Sequence, residues 1–209
     1  MTTETMNIHQ ALVELKTLDK RIEAAINDGE YKHSNTKISG VDLKDFAENI
    51  KSRHQKVTSL IAWAEAIKRA VVNSNAVTKV LVAGKEYTVA ETIEMKNNGI
   101  ERKRKLIFRL HTDYSHAKAT ADRANGPELE RRVDDYIRTM LGTTDVKGMT
   151  AEVQRMREDF ITAQTMELVD PIGVLKQMEL LNEEITAFET NVDAALSVSN
   201  ALTNIEITY

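Results

Sequence analysis

Ser74-Asn75-Ala76-Val77-Thr78-Lys79-Val80-Leu81-Val82 reappears later in the sequence as Ser199-Asn200-Ala201-Leu202-Thr203-Asn204-Ile205-Glu206-Ile207. The shared pattern is S-N-A-[V/L]-T-x-[V/I]-x-[V/I], and in both places it follows a run of apolar residues at seven-residue spacing. Asparagine tolerates the left-handed conformation that often ends a helix, and the β-branched alternation after it favours a strand. Two long helices are therefore expected to end alike and hand over to strands. Those strands are expected to meet in one small sheet with the hairpin partner Glu86–Thr88, leaving an edge able to pair with another chain. The competing explanation is a convenient helix stop used twice by chance.

Around the first copy, two β-rich runs flank Ala83-Gly84, which is a hairpin signal. Thr88-Val89-Ala90-Glu91 then reads as a capping box. It opens a helix in which Ile93, Ile100, Ile107, Tyr114 and Ala121 recur every seven residues, with Asn97-Asn98-Gly99 as a kink and Asn125-Gly126-Pro127 as its end. Upstream, Leu43, Ile50, Val57, Ala64 and Val71 form one heptad series, and Phe46, Arg53, Leu60, Ile67 and Ser74 the other. This predicts a coiled-coil-like helix of about 30 residues. Arg53 interrupts the seam, either snorkelling at a bundle edge or carrying a buried functional charge. Ile8, Leu12, Leu15, Leu18, Ile22 and Ile26 give an amphipathic helix over 7–27, and 27–40 reads as a long loop.

Downstream, Pro127 suits the first position of a shorter helix carrying Leu129, Val133, Tyr136, Ile137 and Met140. Residues 142–148 read as a loop, followed by a helix with Val153, Met156 and Phe160. Asp170-Pro171 starts the last helix, where Val174, Met178, Leu181, Ile185, Phe188, Val192 and Ala195 lead to about Val198. The expected fold is mainly α, with long antiparallel coiled-coil-like helices in a bundle. A small antiparallel β-sheet is added by the hairpin near 79–88 and a C-terminal strand over 202–208. Residues 1–209 are expected to form a single helical domain, with 125–169 either projecting as an inserted helical arm or folding back.

Composition removes several functional classes. The 209 residues include no cysteine, so disulfide frameworks, Cys-ligated zinc, iron–sulfur clusters and thiol nucleophiles are excluded. The opening MTTETMN lacks a secretory signal and no 18-residue apolar run exists, so a cytoplasmic protein with no membrane partner is expected. Two prolines suit long, rarely broken helices. No G-x-G-x-x-G or G-x-S-x-G occurs, and Glu86 stands where a phosphate-binding loop after Gly84-Lys85 needs Ser or Thr. His111 and His116 are five residues apart, on different helix faces, so they do not form a metal-binding pair. The lone E-x-x-H, Glu30 to His33, falls in the expected loop. No catalytic residue, metal or cofactor is expected.

The net charge of −4 conceals a basic stretch. Between 96 and 123, Lys96, Arg102, Lys103, Arg104, Lys105, Arg109, Lys118 and Arg123 face only Glu101, Asp113 and Asp122, a local balance of +5. Guanidinium groups beside Tyr114 suit phosphate and base recognition together. The alternative is a solvated basic face pairing with acidic neighbours. Duplex nucleic acid is not expected, because the chain is acidic overall and the patch is short.

Ala11-Leu12-Val13-Glu14-Leu15-Lys16-Thr17-Leu18-Asp19-Lys20-Arg21-Ile22 resembles the start of the septicolysin-like family of small helical proteins. So do Asn73-Ser74-Asn75 before a hairpin and the helix start Tyr87-Thr88-Val89-Ala90-Glu91-Thr92-Ile93. The resemblance covers about 7–27, 57–124 and 170–207; 27–40 and 125–169 depart from it. The family's name implies a pore-forming toxin, yet no apolar segment for insertion is present. In style, the chain is also similar to bacteriophage immune-evasion sponges, which are oligomeric, non-catalytic proteins that sequester cyclic nucleotide signals. That likeness implies a phage-encoded homo-oligomer in the host cytoplasm, holding a small anionic cyclic nucleotide at subunit junctions. Arg104, Arg109 and Lys118 would then hold phosphates, Tyr114 would stack a base, and Asn73 or Asn75 would read its edge. A loop bearing Tyr31 and His33 would close over the ligand. The alternative function is a coiled-coil structural or protein-interaction module with no small-molecule ligand.

Overall fold

The computed structural model describes residues 3–28, 42–142 and 150–208. The chain divides into two compact units, Met1–Gly99 with Thr186–Tyr209, and Ile100–Ile185.

In the first unit, strand β1 (Thr3–Asn7) leads directly into helix α1 (Ile8–Ile26). Asn7 caps α1 reciprocally: its side chain accepts from the Gln10 N–H at 2.8 Å, and Gln10 accepts from the Asn7 N–H at 3.0 Å. Two of the orphan donors of the first turn are thereby satisfied. Helix α2 (Leu43–Val77) is capped by Asp42 and runs antiparallel to α1. Their shared core holds Ile8, Ala11, Leu18, Ile67 and Val71, closed by Ile205 and Ile207. Each of the larger side chains contributes about 1.5–3 kcal/mol relative to exposure. Of the expected α2 seam, Val57, Ile67 and Val71 are buried, and Ile50, Leu60 and Ala64 are half-buried. Arg53 is also half-buried, with its guanidinium 3.7 Å from the Asp28 carboxylate.

Strands β2 (Lys79–Val82) and β3 (Lys85–Thr88) form the expected hairpin, with Lys79 opposite Thr88 and Val82 opposite Lys85. Ala83 and Gly84 both have positive φ, 50° and 78°, as a two-residue turn of the primed type requires. Thr88 and Glu91 form the expected capping box on helix α3 (Val89–Glu94). The expected kink at 97–99 is one π turn, Met95–Gly99. A turn closed by i→i+5 bonds holds about one residue more than an α turn. The seven-residue step from Ile93 to Ile100 accordingly becomes an eight-residue step, from buried Thr92 to buried Ile100, and Ile93 is exposed.

Helix α7 (Val174–Leu202) ends the helical part of the chain and hands over to strand β4 (Asn204–Thr208). Two expectations are corrected here. The two repeat strands do not share a sheet: β2 pairs with β3, whereas β4 pairs with β1, with Asn204 opposite Asn7 and Thr208 opposite Thr3. Nor do Asn75 and Asn200 adopt a left-handed conformation; both lie inside the final helical turn. The helices end instead at Thr78 and Thr203, whose N–H groups close the last turn on Ser74 O at 2.8 Å and Ser199 O at 2.9 Å. Thr78 then swings to extended geometry.

The repeat is consequently larger than nine residues. In each copy a helix ends on Thr, a strand follows with alternate residues buried (Val80 and Val82; Ile205 and Ile207), and an antiparallel partner strand runs into a capping box. One copy is closed by a tight turn. The other is assembled from segments at opposite ends of the sequence.

The regular elements described in the second unit are all helices: α4 (Ile100–Asn125), α5 (Pro127–Leu141), α6 (Ala151–Gln164) and the first turns of α7. Pro127 begins α5, and Gly142 ends it in a left-handed conformation (φ 63°). Leu129, Val133, Ile137 and Val153 make a second core between α5 and α6. Tyr136 stacks on Phe160 beside it, at 4.7 Å between centroids. Arg157 of α6 bridges Asp134 and Glu130 of α5. The Asn125 carboxamide both donates to and accepts from the Met166 backbone, at 2.7 and 2.8 Å, fastening the segment after α6 to the end of α4.

Candidate interaction faces and the basic helix

The six expected ligand-binding residues fall on two helices in different units. Asn73, exposed, and Asn75, half-buried, lie in the last turns of α2. Arg104, Arg109 and Lys118, exposed, and Tyr114, half-buried, lie on α4. Tyr31 and His33 lie outside the described residues. At 3.6 residues per turn, Arg109 and Lys118 are about 180° apart around α4, so these two side chains do not converge on one ligand from this helix. Arg104, His111 and Lys118 are spaced by seven and share one stripe about 21 Å long, with Tyr114 on its flank.

Three cations of the basic stretch are paired within α4. Arg109 Nε meets Asp113 at 2.8 Å, Lys118 Nζ meets Asp122 at 3.2 Å, and Lys105 lies 3.9 Å from Glu101. Each pair joins residues four apart on an exposed face and contributes only about 0.3–0.5 kcal/mol. Such contacts exchange readily for a stronger anion. Lys103 differs: it is half-buried and bonds Glu184 of α7 at 2.8 Å, which accounts for one of the inward-facing charges that four consecutive basic residues impose.

The apolar faces were less visible in the sequence. On α1 the apolar stripe is wider than one seam, so Ala11 takes a core place while Leu12 remains 42% exposed. Across from it, Ile61 of α2 is 36% exposed. Together with Leu15, Ile22 and Ala64 they line a groove of about 500 Å³ between the two helices, rimmed by Lys16, Asp19, Glu65 and Lys68. A second groove of about 530 Å³ lies between β2 and the end of α7, with Leu81, Val198 and Leu202 exposed along it. Here β2 presents an unpaired edge among the described residues, since its partner is β3 alone. Val82 opposite Lys85 closes the turn, so alternation directs the Lys79 and Leu81 backbone groups to the open edge.

The capping residues carry the clearest electrostatic shifts in the first unit. Hydrogen bonds from the Thr88 backbone and hydroxyl hold the Glu91 carboxyl below its ordinary range. Lys79 is raised by its bond to Glu86, at 2.7 Å.

Neither protein-family models, nor curated proteins, nor solved structures give a match to this chain. No helix of the described residues is long and apolar enough to cross a membrane.

Proposed function

We propose that this chain is a helical assembly protein whose work is binding rather than catalysis, its first partner being another copy of itself. One observation carries the reading. Large apolar side chains stand in solvent on the long helices of both units: Leu12, Ile61 and Val72 in the first, with Ile61 and Val72 on one face of α2, and Leu106, Phe108, Leu175 and Leu180 in the second. Phe108, at 72% exposed, is the largest of them. Burying one such side chain gains about 1.5–3 kcal/mol, and several on one face supply the core of an interface. Light scattering of the purified chain tests this. An integral multiple of 23.5 kDa at micromolar concentration is expected, and a monomer across that range overturns the reading.

The stripe of Arg104, His111 and Lys118 beside Tyr114 favours a second reading, capture of a small anionic cyclic nucleotide by the assembled protein as a sponge. Arg104 and Lys118, about 21 Å apart, can each hold a phosphate of a separate ligand, and a flanking ring can stack a base. In that reading Asn73 or Asn75 of another copy reads the base edge. The test is depletion of cyclic di- and trinucleotides from solution, followed by heat denaturation and assay of what is released. Intact nucleotide supports capture, and a hydrolysed product or no depletion overturns it.

A further inference from the structure

Phe108 stands in solvent with no apolar side chain beside it on its helix. The residues three and four positions away border a helical side chain. For Phe108 these are Arg104, Lys105, His111 and Thr112, all exposed. Leu12 and Ile61 of the first unit instead adjoin further apolar residues, Ile8 and Leu15 on α1 and Val57 and Ala64 on α2. Arg104, Phe108, His111 and Ser115 follow one another at steps of four, three and four, so they share one solvent-facing stripe. Along the axis Arg104 lies about 6 Å from Phe108 and His111 about 4.5 Å, at 1.5 Å per residue. The nearest carboxylates in the α4 sequence are Glu101, two turns away, and Asp113, which lies about 140° around the helix and bonds Arg109. Tyr114 is half-buried and lies about 120° around from Phe108, on the side of Lys103, Leu110 and Ala121.

We infer that Phe108 is the stacking platform of an anion site on α4, that Arg104 and His111 hold phosphate oxygens beside it, and that the ligand is a small free nucleotide. The core of a protein interface is built from contiguous apolar side chains. A single exposed ring bordered by N–H donors offers something else: a flat face for a base and charge-assisted bonds for its phosphates. Arg104 can address two phosphate oxygens at once through its guanidinium fork. A single strand stacks successive bases on successive rings. This stripe holds one ring, which is why the ligand is a free nucleotide. Leu106, also exposed on α4, points about 160° away from Phe108, so the two do not enter one membrane surface. The inference rests on the capture reading above and moves its ring from Tyr114 to Phe108.

Removing the ring while keeping its apolar bulk tests it. Phe108 is exposed, so Phe108→Leu should keep the parent's circular dichroism and its mass in light scattering. The depletion assay is run with cyclic di- and trinucleotides of adenine and guanine. The protein concentration that removes half of the nucleotide should rise at least about fivefold for Phe108→Leu. Phe108→Trp should match the parent, and so should Tyr114→Leu. Capture by Phe108→Leu equal to the parent's overturns the inference and leaves the capture reading standing. Loss confined to Tyr114→Leu, with circular dichroism unchanged, does the same. A lowered mass for Phe108→Leu overturns it in favour of a protein contact. Tighter, Phe108-dependent retention of a single-stranded oligonucleotide overturns the assignment to a free nucleotide. If the parent depletes none of the panel, the capture reading and this site fall together.

Discussion

Ile8 and Val89 occupy the same position in two copies of one structural module. Each is buried, follows a capping residue, and donates its backbone N–H to the carbonyl of the threonine that ended a long helix: Ile8 to Thr203 at 3.0 Å, Val89 to Thr78 at 2.9 Å. This crosslink ties the helix leaving the two-stranded sheet to the helix entering it. Among the described residues the two modules differ in that Ala83-Gly84 joins the strands of one, whereas the strands of the other come from separate segments.

The equivalence predicts that the two modules can exchange connectivity. A chain opened between Ala83 and Gly84, with Thr208 joined to Thr3 through Asn-Gly, should fold with unchanged helicity and a melting temperature within about 5 °C of the parent. Loss of a cooperative transition in thermal circular dichroism would show that the covalent turn is indispensable.

Adjacent substitutions in that turn should have opposite signs. Gly84 has φ 78° and open space around the site of a Cβ, so Gly84→Ala meets only the backbone penalty, about 1 kcal/mol. Ala83, at φ 50°, already bears a penalty that Asn tolerates better, so Ala83→Asn should stabilise by a few tenths of a kcal/mol. Urea midpoints of the two variants check this, and a shift in the same direction for both would contradict it.

The two cores should fail separately. Ile67 and Ile137 are both completely buried, one in each unit. Truncation of either to alanine should cost about 2–5 kcal/mol locally. Hydrogen exchange should quicken in α5 and α6 for Ile137→Ala and in α1 and α2 for Ile67→Ala. Equal acceleration everywhere in both variants would contradict two separate cores.

Acid should loosen the start of α3 only below the ordinary glutamate range. Glu91 has its carboxyl depressed by bonds from Thr88, so its contribution is complete above the unfolded Glu value of about 4.3. It is lost as pH falls through the lower folded value. The Thr88 amide resonance should therefore titrate with a midpoint below that of an ordinary glutamate, and Glu91→Gln should abolish the titration. A midpoint at or above the ordinary value would contradict this.

How much of this could be read in advance depends on the range of the signal. The hairpin was legible because Ala83-Gly84 and Thr88 to Glu91 act within a few residues. The heptads of α2 were legible because Val57, Ile67 and Val71 recur on one face. Strand β1 was missed, since five residues, Thr3–Asn7, carry little signal until β4 is placed beside them. A clue existed: Met6-Asn7-Ile8-His9-Gln10 matches Tyr87-Thr88-Val89-Ala90-Glu91 in its apolar residue, cap, β-branched residue and N3 side chain. On α4 the excess of positive charge was visible, but counting charges does not reveal that Arg109 and Lys118 face opposite ways. Leu12 was expected on the core stripe with Leu15 and Leu18, and only packing shows that Ala11 takes the core place.

The pairing of β1 with β4 also sets the mechanical character of the molecule. Thr3 and Thr208 sit side by side at the open end of that ladder, and its bonds run perpendicular to the strands. A force applied between these two residues loads one rung at a time, so the ladder unzips from its end instead of shearing as a whole. The first firm stop is the Asn7 cap and the Ile8–Thr203 bond, beyond which the pull reaches the helices themselves.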